Sequence, residues 1–295
     1  VMNIAVLSDI HGNHIALEAC MAYLAKQDID AYCFLGDYVG ELPGIRQTMD
    51  IVYDLQRKLP CHIIRGNKED YQLYGLGEGH PEWDLYPSTV GMLRYARQHL
   101  TQEDITFLAA LPITDCIRVD GMEPIRICHG SHRAVKEDIR PGGSQNREIF
   151  AEVEEKYLLC GHTHMAMDIR EYGKTVWNPG SVGLPIIEEG SMKAQFMILH
   201  GEKRCGKGEW TPEFVALDYD IEYVIRDMRE KGLYETAPYW SRVTESILRG
   251  KRTTQGRVLC RAMELCEQEN GRCDWPEVPE NCWERAYEDM KRGKI

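Results

Sequence analysis

The chain has 295 residues, 28% of them charged, and a formal net charge of −12. That length supports one large core, or a core with an appendage. The acidic balance argues against a non-specific nucleic-acid binder, which needs a basic face, and no apolar run is long enough to span a bilayer.

The first predicted element is Asn3-Ile4-Ala5-Val6-Leu7-Ser8, a short apolar run that leads into Asp9-Ile10-His11-Gly12-Asn13. Runs of this length and β-branched content read as buried strands. A helix over residues 12–27 should follow. Asn13 is then its N-cap, or meets phosphate with its side chain or through the helix amides. Ala31-Tyr32-Cys33-Phe34-Leu35 runs into Gly36-Asp37, and His62-Ile63-Ile64-Arg65 into Gly66-Asn67. The glycine-rich segment 75–81 is flexible by composition and is expected to border a substrate entrance.

Ile125-Arg126-Ile127-Cys128 runs into His129-Gly130, with His132 and Arg133 just beyond. On a loop at the rim of a site those two reach a phosphate oxygen, Arg bidentately; otherwise they are a solvated pair. Tyr157-Leu158-Leu159-Cys160 runs into Gly161-His162-Thr163-His164. After Asp218-Tyr219-Asp220 the pattern turns helical: Ile221, Val224, Ile225 and Met228 share one face, and Gly232 stops the run. Further helices are expected near 241–248, 256–267 and 279–290. His14, His62, His80, His99 and His200 read as surface or packing residues.

Apolar strands thus end in Asp-x-His, Gly-Asp, Gly-Asn, His-Gly and Gly-His-x-His. The carboxyl ends of strands in an open α/β sheet are where sites are built. The flanking glycines let backbone and side chain approach a compact site. Carboxylate, carboxamide and imidazole suit manganese, iron, zinc or nickel. The absence of thiolate from these motifs argues against a structural zinc site.

This ordered set resembles the calcineurin-like metallophosphoesterase superfamily over about residues 2–220. Gly36-Asp37-Tyr38-Val39-Gly40 and Asn178-Pro179-Gly180-Ser181-Val182-Gly183-Leu184-Pro185 are similar to its small bacterial and archaeal phosphodiesterase branch, which also contains a eukaryotic protein-sorting scaffold. The resemblance implies a four-layer α/β/β/α sandwich and two divalent transition metals. By motif, Asp9, His11 and His164 hold the first metal, Asn67, His129 and His162 the second, and Asp37 bridges them. It also implies hydrolysis of a small phosphoester by in-line attack of a metal-bridging hydroxide. Two metals suit that chemistry because they clamp the attacking and leaving oxygens. A scaffold has no use for the full ligand set.

Two positions depart from the pattern. Many members follow the asparagine ligand with a proton-donating His, which pairs with an Asp three residues after the bridging Asp. Lys68 and Gly40 stand there instead. In the resembled branch this His is often already replaced. Lys68 is then a proton donor with a pKa lowered by the metals, a fixed phosphate clamp, or a solvated partner of Glu69 or Asp70.

The resembled domain ends near Gly250, which divides the chain into a domain over 1–250 and a helical extension over 251–295. The extension holds Cys260, Cys266, Cys273 and Cys282, whose spacing lacks the short knuckle of a zinc site. It is expected to pack on the domain or on a second copy of the chain. Cys20, Cys33, Cys128 and Cys160 fall inside apolar patterns and read as core thiols. With no signal-peptide pattern, that cysteine usage points to a reducing cytoplasm.

Overall fold

A computed structural model describes residues 2–75, 84–186, 191–204 and 207–295. The segment expected to border the entrance lies almost wholly outside these. The strands, in chain order, are β1 (Met2–Leu7), β2 (Ala31–Phe34), β3 (Cys61–Ile63), β4 (Thr114–Ile117), β5 (Ile125–Cys128), β6 (Tyr157–Leu159), β7 (Ala166–Glu171), β8 (Lys174–Pro179), β9 (Ala194–Arg204) and β10 (Lys207–Leu217). They form two mixed sheets of five, ordered β10-β9-β1-β2-β3 and β4-β5-β6-β8-β7. β1, β2 and β3 run parallel, as do β5, β6 and β8.

The two-residue period of a strand divides each apolar run between two cores. Ile4 and Val6 of β1 join Ala31 and Cys33 of β2 and Ile125, Ile127, Tyr157 and Leu159 of the second sheet, so this cluster is the filling between the sheets. Ala5, Leu7, Tyr32 and Phe34 face the other way, into helices. Cys128 and Leu158 face the outside of the second sheet, where they meet Ile149 and Phe150. The latter lie on α6, Asn146–Ala151. Helix, sheet, sheet, helix is the four-layer order.

The outer layer on the first sheet is the thick one. It contains α1 (His14–Leu24), α2 (Ile45–Lys58), α3 (Asn67–Asp70), α4 (Pro87–His99) and α5 (Gln102–Ala110). The late helices α7 (Ile221–Glu230), α8 (Leu233–Thr236), α9 (Pro238–Leu248), α10 (Gln255–Asn270) and α11 (Glu280–Lys291) complete it. Val258, Ala262 and Cys266 of α10 and Cys282, Trp283 and Ala286 of α11 belong to the same buried cluster as Leu17 of α1 and Met92 of α4. The C-terminal helices therefore pack on the domain itself. The Trp283 indole donates to Thr89 Oγ1 at 2.9 Å. The Glu280 carboxylate accepts from the Ser88 amide at 2.9 Å and the Ser88 hydroxyl at 2.6 Å. Cys260 points out to solvent. Among the described residues no helix is long and apolar enough to cross a membrane.

Candidate metal centre

The loops that leave β1, β2 and β6 are tightly kinked. Asp9, His11, Asp37, His162 and His164 have φ of 54°, 54°, 55°, 64° and 56°. Side chains rarely adopt this left-handed region, at a cost on the order of 1–3 kcal/mol each, and do so mainly where surrounding structure enforces a functional geometry. Backbone bonds do the enforcing here. The Asp9 amide donates to Gly36 O at 3.1 Å, His11 to Asp37 O at 2.9 Å, and Gly161 to His129 O at 2.7 Å. Ser181 Oγ donates to Asp9 O at 2.7 Å, which is how the Asn178–Pro185 motif serves the site. Gly66 makes room for the carboxylate: a Cβ there would lie 2.3 Å from Asp37 Oδ1.

The kinks bring side chains from both sheets to one point. Asp9 Oδ2 accepts from Ser8 Oγ at 2.5 Å and from the His162 amide at 3.0 Å. Its other oxygen, Oδ1, is buried without a hydrogen-bond partner. It lies 3.2 Å from His164 Nε2, 3.7 Å from His11 Nε2 and 3.9 Å from His129 Nε2. Asp37 turns Oδ1 to His129 Nε2 at 3.4 Å and Oδ2 to His11 Nε2 at 3.7 Å. Oδ1 also accepts from the Lys68 amide at 2.8 Å.

The imidazoles are oriented from behind. His164 Nδ1 lies 2.6 Å from Leu184 O and His129 Nδ1 2.7 Å from Leu35 O. A carbonyl there requires the proton on Nδ1, which leaves the Nε2 lone pair pointing inward. His164 Nε2 then faces His11 Nε2 at 2.9 Å. His129 Nε2 faces Asn67 Oδ1 at 3.0 Å. Lone pairs and carboxylate oxygens this close repel unless a proton or a metal ion lies among them. Asp9, His11 and His164 converge as one group, and Asp9, Asp37 and His129 as another. The donor set fits divalent transition metals.

Charge behaves accordingly. Burial raises the Asp9 and Asp37 pKa values, but the facing imidazoles overcome it and hold both below the ordinary carboxylate range. Burial lowers His129, yet Asp37 and Asp9 outweigh it and push the imidazole up to about 10. His162 is lowered, by burial and then by its neighbour His129. His162 also sits apart from the two converging groups. Its Nε2 is 3.3 Å from Asp138 Oδ1, with its ring centroid 5.2 Å from that of His129.

A pocket of 370 Å³ opens over this point, with Lys68, Arg140, Trp240 and residues 253–256 at the start of α10 in its wall. Lys68 does not pair with Glu69 or Asp70. Its ammonium is ion-paired with the buried Glu41, which also accepts from the Trp240 indole. Glu69 instead accepts from the amides of Gly66, Asp37 and Tyr38 at 2.7, 2.8 and 2.9 Å, and Asp70 binds Arg65. Burial depresses Lys68, but Glu41 and then Asp37 prevail and raise its pKa.

Three residues offered as phosphate contacts, each with an alternative, have other partners here. His132 Nε2 lies 3.1 Å from Glu152, and Arg133 is tied to both Glu137 and Glu152; neither lines the pocket, where Arg140 stands instead. Asn13 is 1% exposed. Its Oδ1 caps α1 by accepting from the Ala16 amide at 3.1 Å, and its Nδ2 donates to Gly183 O. These bonds and its burial turn the Asn13 carboxamide into the fold. Glu41, Arg140 and Trp240 carried no motif. Glu41 had one weak signal, its place one residue beyond the expected acid position.

The model of the calcineurin-like phosphoesterase superfamily domain matches residues 2–204. The chain belongs to this family. Its members are in general phosphoesterase hydrolases that bind divalent metals. An uncharacterised protein of Methanocaldococcus jannaschii is 26% identical over 254 residues, covering 80% of this chain and 94% of its own. The crystal structure of a hypothetical protein from Pyrococcus horikoshii superposes with a TM-score of 0.69 at 24% identity, covering 84% of this chain and 98% of its own. A metallophosphoesterase from Sphaerobacter thermophilus gives 0.61 at 22% identity, over 81% and 98%. Both structures share the fold. The family match ends at the last residue of β9, so Trp240 and residues 253–256 lie beyond it.

Proposed function

We propose that this chain is a dinuclear metal-dependent phosphodiesterase. The observation that carries the reading is the convergence of inward-facing imidazole nitrogens on the partnerless Asp9 Oδ1. Asp9, His11 and His164 would hold one metal, Asn67, His129 and His162 the other, with Asp37 shared between them. When bound, the two divalent metals, drawn from manganese, iron, zinc or nickel, supply positive charge at the phosphate and lower the pKa of water.

The residues around them position the ester. His162 must swing from Asp138 to join its set. Lys68, seated by Glu41, acts as a charged clamp on a phosphate oxygen, because its carboxylate partner favours the ammonium. Glu41 and Asp138 balance Lys68 and Arg140 at the rim, leaving little spare positive charge. That suits the single charge of a diester better than the dianion of a monoester. The buried thiols of Cys20, Cys33, Cys128 and Cys160 suit a reducing, cytoplasmic setting.

The purified protein should contain close to two transition metals by elemental analysis. In manganese buffer it should hydrolyse bis(p-nitrophenyl) phosphate faster than p-nitrophenyl phosphate. Faster turnover of the monoester would make it a phosphomonoesterase. A metal-loaded protein inert to both would favour a scaffold of the same fold.

A further inference from the structure

Beyond the metal centre the pocket continues into a second cavity of 530 Å³. The two share Arg140, Pro185, Ile186, Ile247, Thr253 and Thr254 in their walls. One groove therefore starts at the metal ligands, crosses an apolar saddle of Pro185, Ile186 and Ile247, and ends at Lys251, Arg252 and Arg257.

The far end is unusual for this chain. The protein carries 47 acidic against 35 basic residues, yet no acidic side chain among the described residues lines the second cavity. Lys251, Arg252 and Arg257 make no ion pair among the described residues, whereas Lys68, Arg133 and Arg140 all do. Their charges are available to a ligand. Thr254 caps α10 by accepting from the Arg257 amide at 3.2 Å. This fixes the start of the helix, and with it the backbone that carries Arg257, beside the saddle. Clustered cations that share a cavity attract an anion more strongly than scattered ones. The apolar saddle favours a less polar segment between that anion and the scissile phosphate.

We propose that the groove selects phosphoesters that bear a second anionic group across an apolar or aromatic span, with Lys251, Arg252 and Arg257 as the specificity-determining residues. The scissile end of this inference rests on the phosphodiesterase reading; the basic end does not.

The test is calorimetric titration with α,ω-alkanediol bisphosphates from butane to octane, each against the matching alkyl monophosphate. A monophosphate end mimics the product of diester cleavage. In the metal-loaded protein at low salt, at least one spacer length should bind about 10-fold or more tightly than its monophosphate. That exceeds the twofold gain from having two equivalent ends. The ratio should fall towards two in Lys251→Gln/Arg252→Gln/Arg257→Gln. It should fall part-way in Arg257→Gln, whose exposed side chain is removable without disturbing the core.

A ratio near two at every length in the native protein overturns the proposal. So does a ratio that both variants leave unchanged. If the native protein cleaves diesters while the ratio stays near two, only the groove fails. If the ratio is high and falls in the variants while no phosphoester is cleaved, the groove stands and the phosphodiesterase reading fails.

Discussion

Asp37 sends one oxygen towards His129 and the other towards His11, so its loss should be felt on both sides of the centre. Asp37→Ala is expected to abolish retention of both metals and to lower kcat by about 10²–10³-fold or more. A variant that keeps two metals by elemental analysis would remove Asp37 from the shared position. His129 sets a pH dependence. In the metal-free protein its imidazole is raised to about 10, so at neutral pH it carries a proton that a metal must displace. Metal affinity should therefore rise with pH up to about 10, with proton release visible in buffers of different ionisation enthalpy. The stability sign follows. A raised pKa contributes stability in full below the unfolded value of 6.5 and loses it as pH climbs to about 10. The metal-free protein should lose stability across that window; pH-independent metal affinity would contradict the assignment. Lys68→Ala should slow nitrophenyl and alkyl esters by similar factors, about 10²-fold, as the loss of a charged clamp requires. Selective loss of alkyl esters alone would make Lys68 a proton donor.

Loops and helices carry the next predictions. At the β3–α3 junction, Gly66→Ala places a methyl against Asp37 Oδ1 and the His129 ring. This should cost metal affinity more than fold, measured as a weaker metal titration with a nearly native circular dichroism spectrum. At the other end of the chain, Trp283 of α11 is fully buried and donates to Thr89 of α4. Trp283→Ala should destabilise the protein by about 3–5 kcal/mol in denaturant unfolding. A cost below about 1 kcal/mol would mean that α11 is a detachable appendage. Because α10 and α11 share the core of α1 and α4, truncation after Gly250 should expose that core and yield aggregated protein. A second copy meeting this extension has the outer face, with Cys260, to use.

For the molecule as a whole, the centre is a clamp between two sheets. Asp9, Asp37 and Asn67 follow β1, β2 and β3 of the first sheet, while His129, His162 and His164 follow β5 and β6 of the second. Metal binding should therefore stabilise the sandwich against unfolding. A ligand present at 100 times its Kd contributes about 2.7 kcal/mol, so chelation should lower Tm by several degrees. Identical thermal curves before and after chelation would place the metals outside the folded core.

The residues that converge were all nameable from the sequence because each terminates a short apolar run, and a strand end is a local feature. Five of the ten described strands, the helix after Asn13 and the helices near 241–248, 256–267 and 279–290 were legible for the same reason: their hydrophobic periods and end signals lie within a few residues. Contacts between distant segments were not. Lys68, Glu41 and Trp240 meet only after α9 has folded back across the first sheet, and no spacing in the chain encodes that approach. Arg133 and Arg140 are both loop cations of the same segment. Glu137 and Glu152 hold one away from the pocket, while Asp138 and Met165 hold the other at its edge. The left-handed backbone at Asp9, His11, Asp37, His162 and His164 was also invisible, since these residue types carry no such preference strong enough to read. The sequence determined which chemistry is available, because donor type is a property of single residues. Tertiary structure alone decided which charges reach the site, because that depends on which carboxylate the folded backbone sets against each cation, near in sequence for Arg133 and Arg140 and far for Lys68.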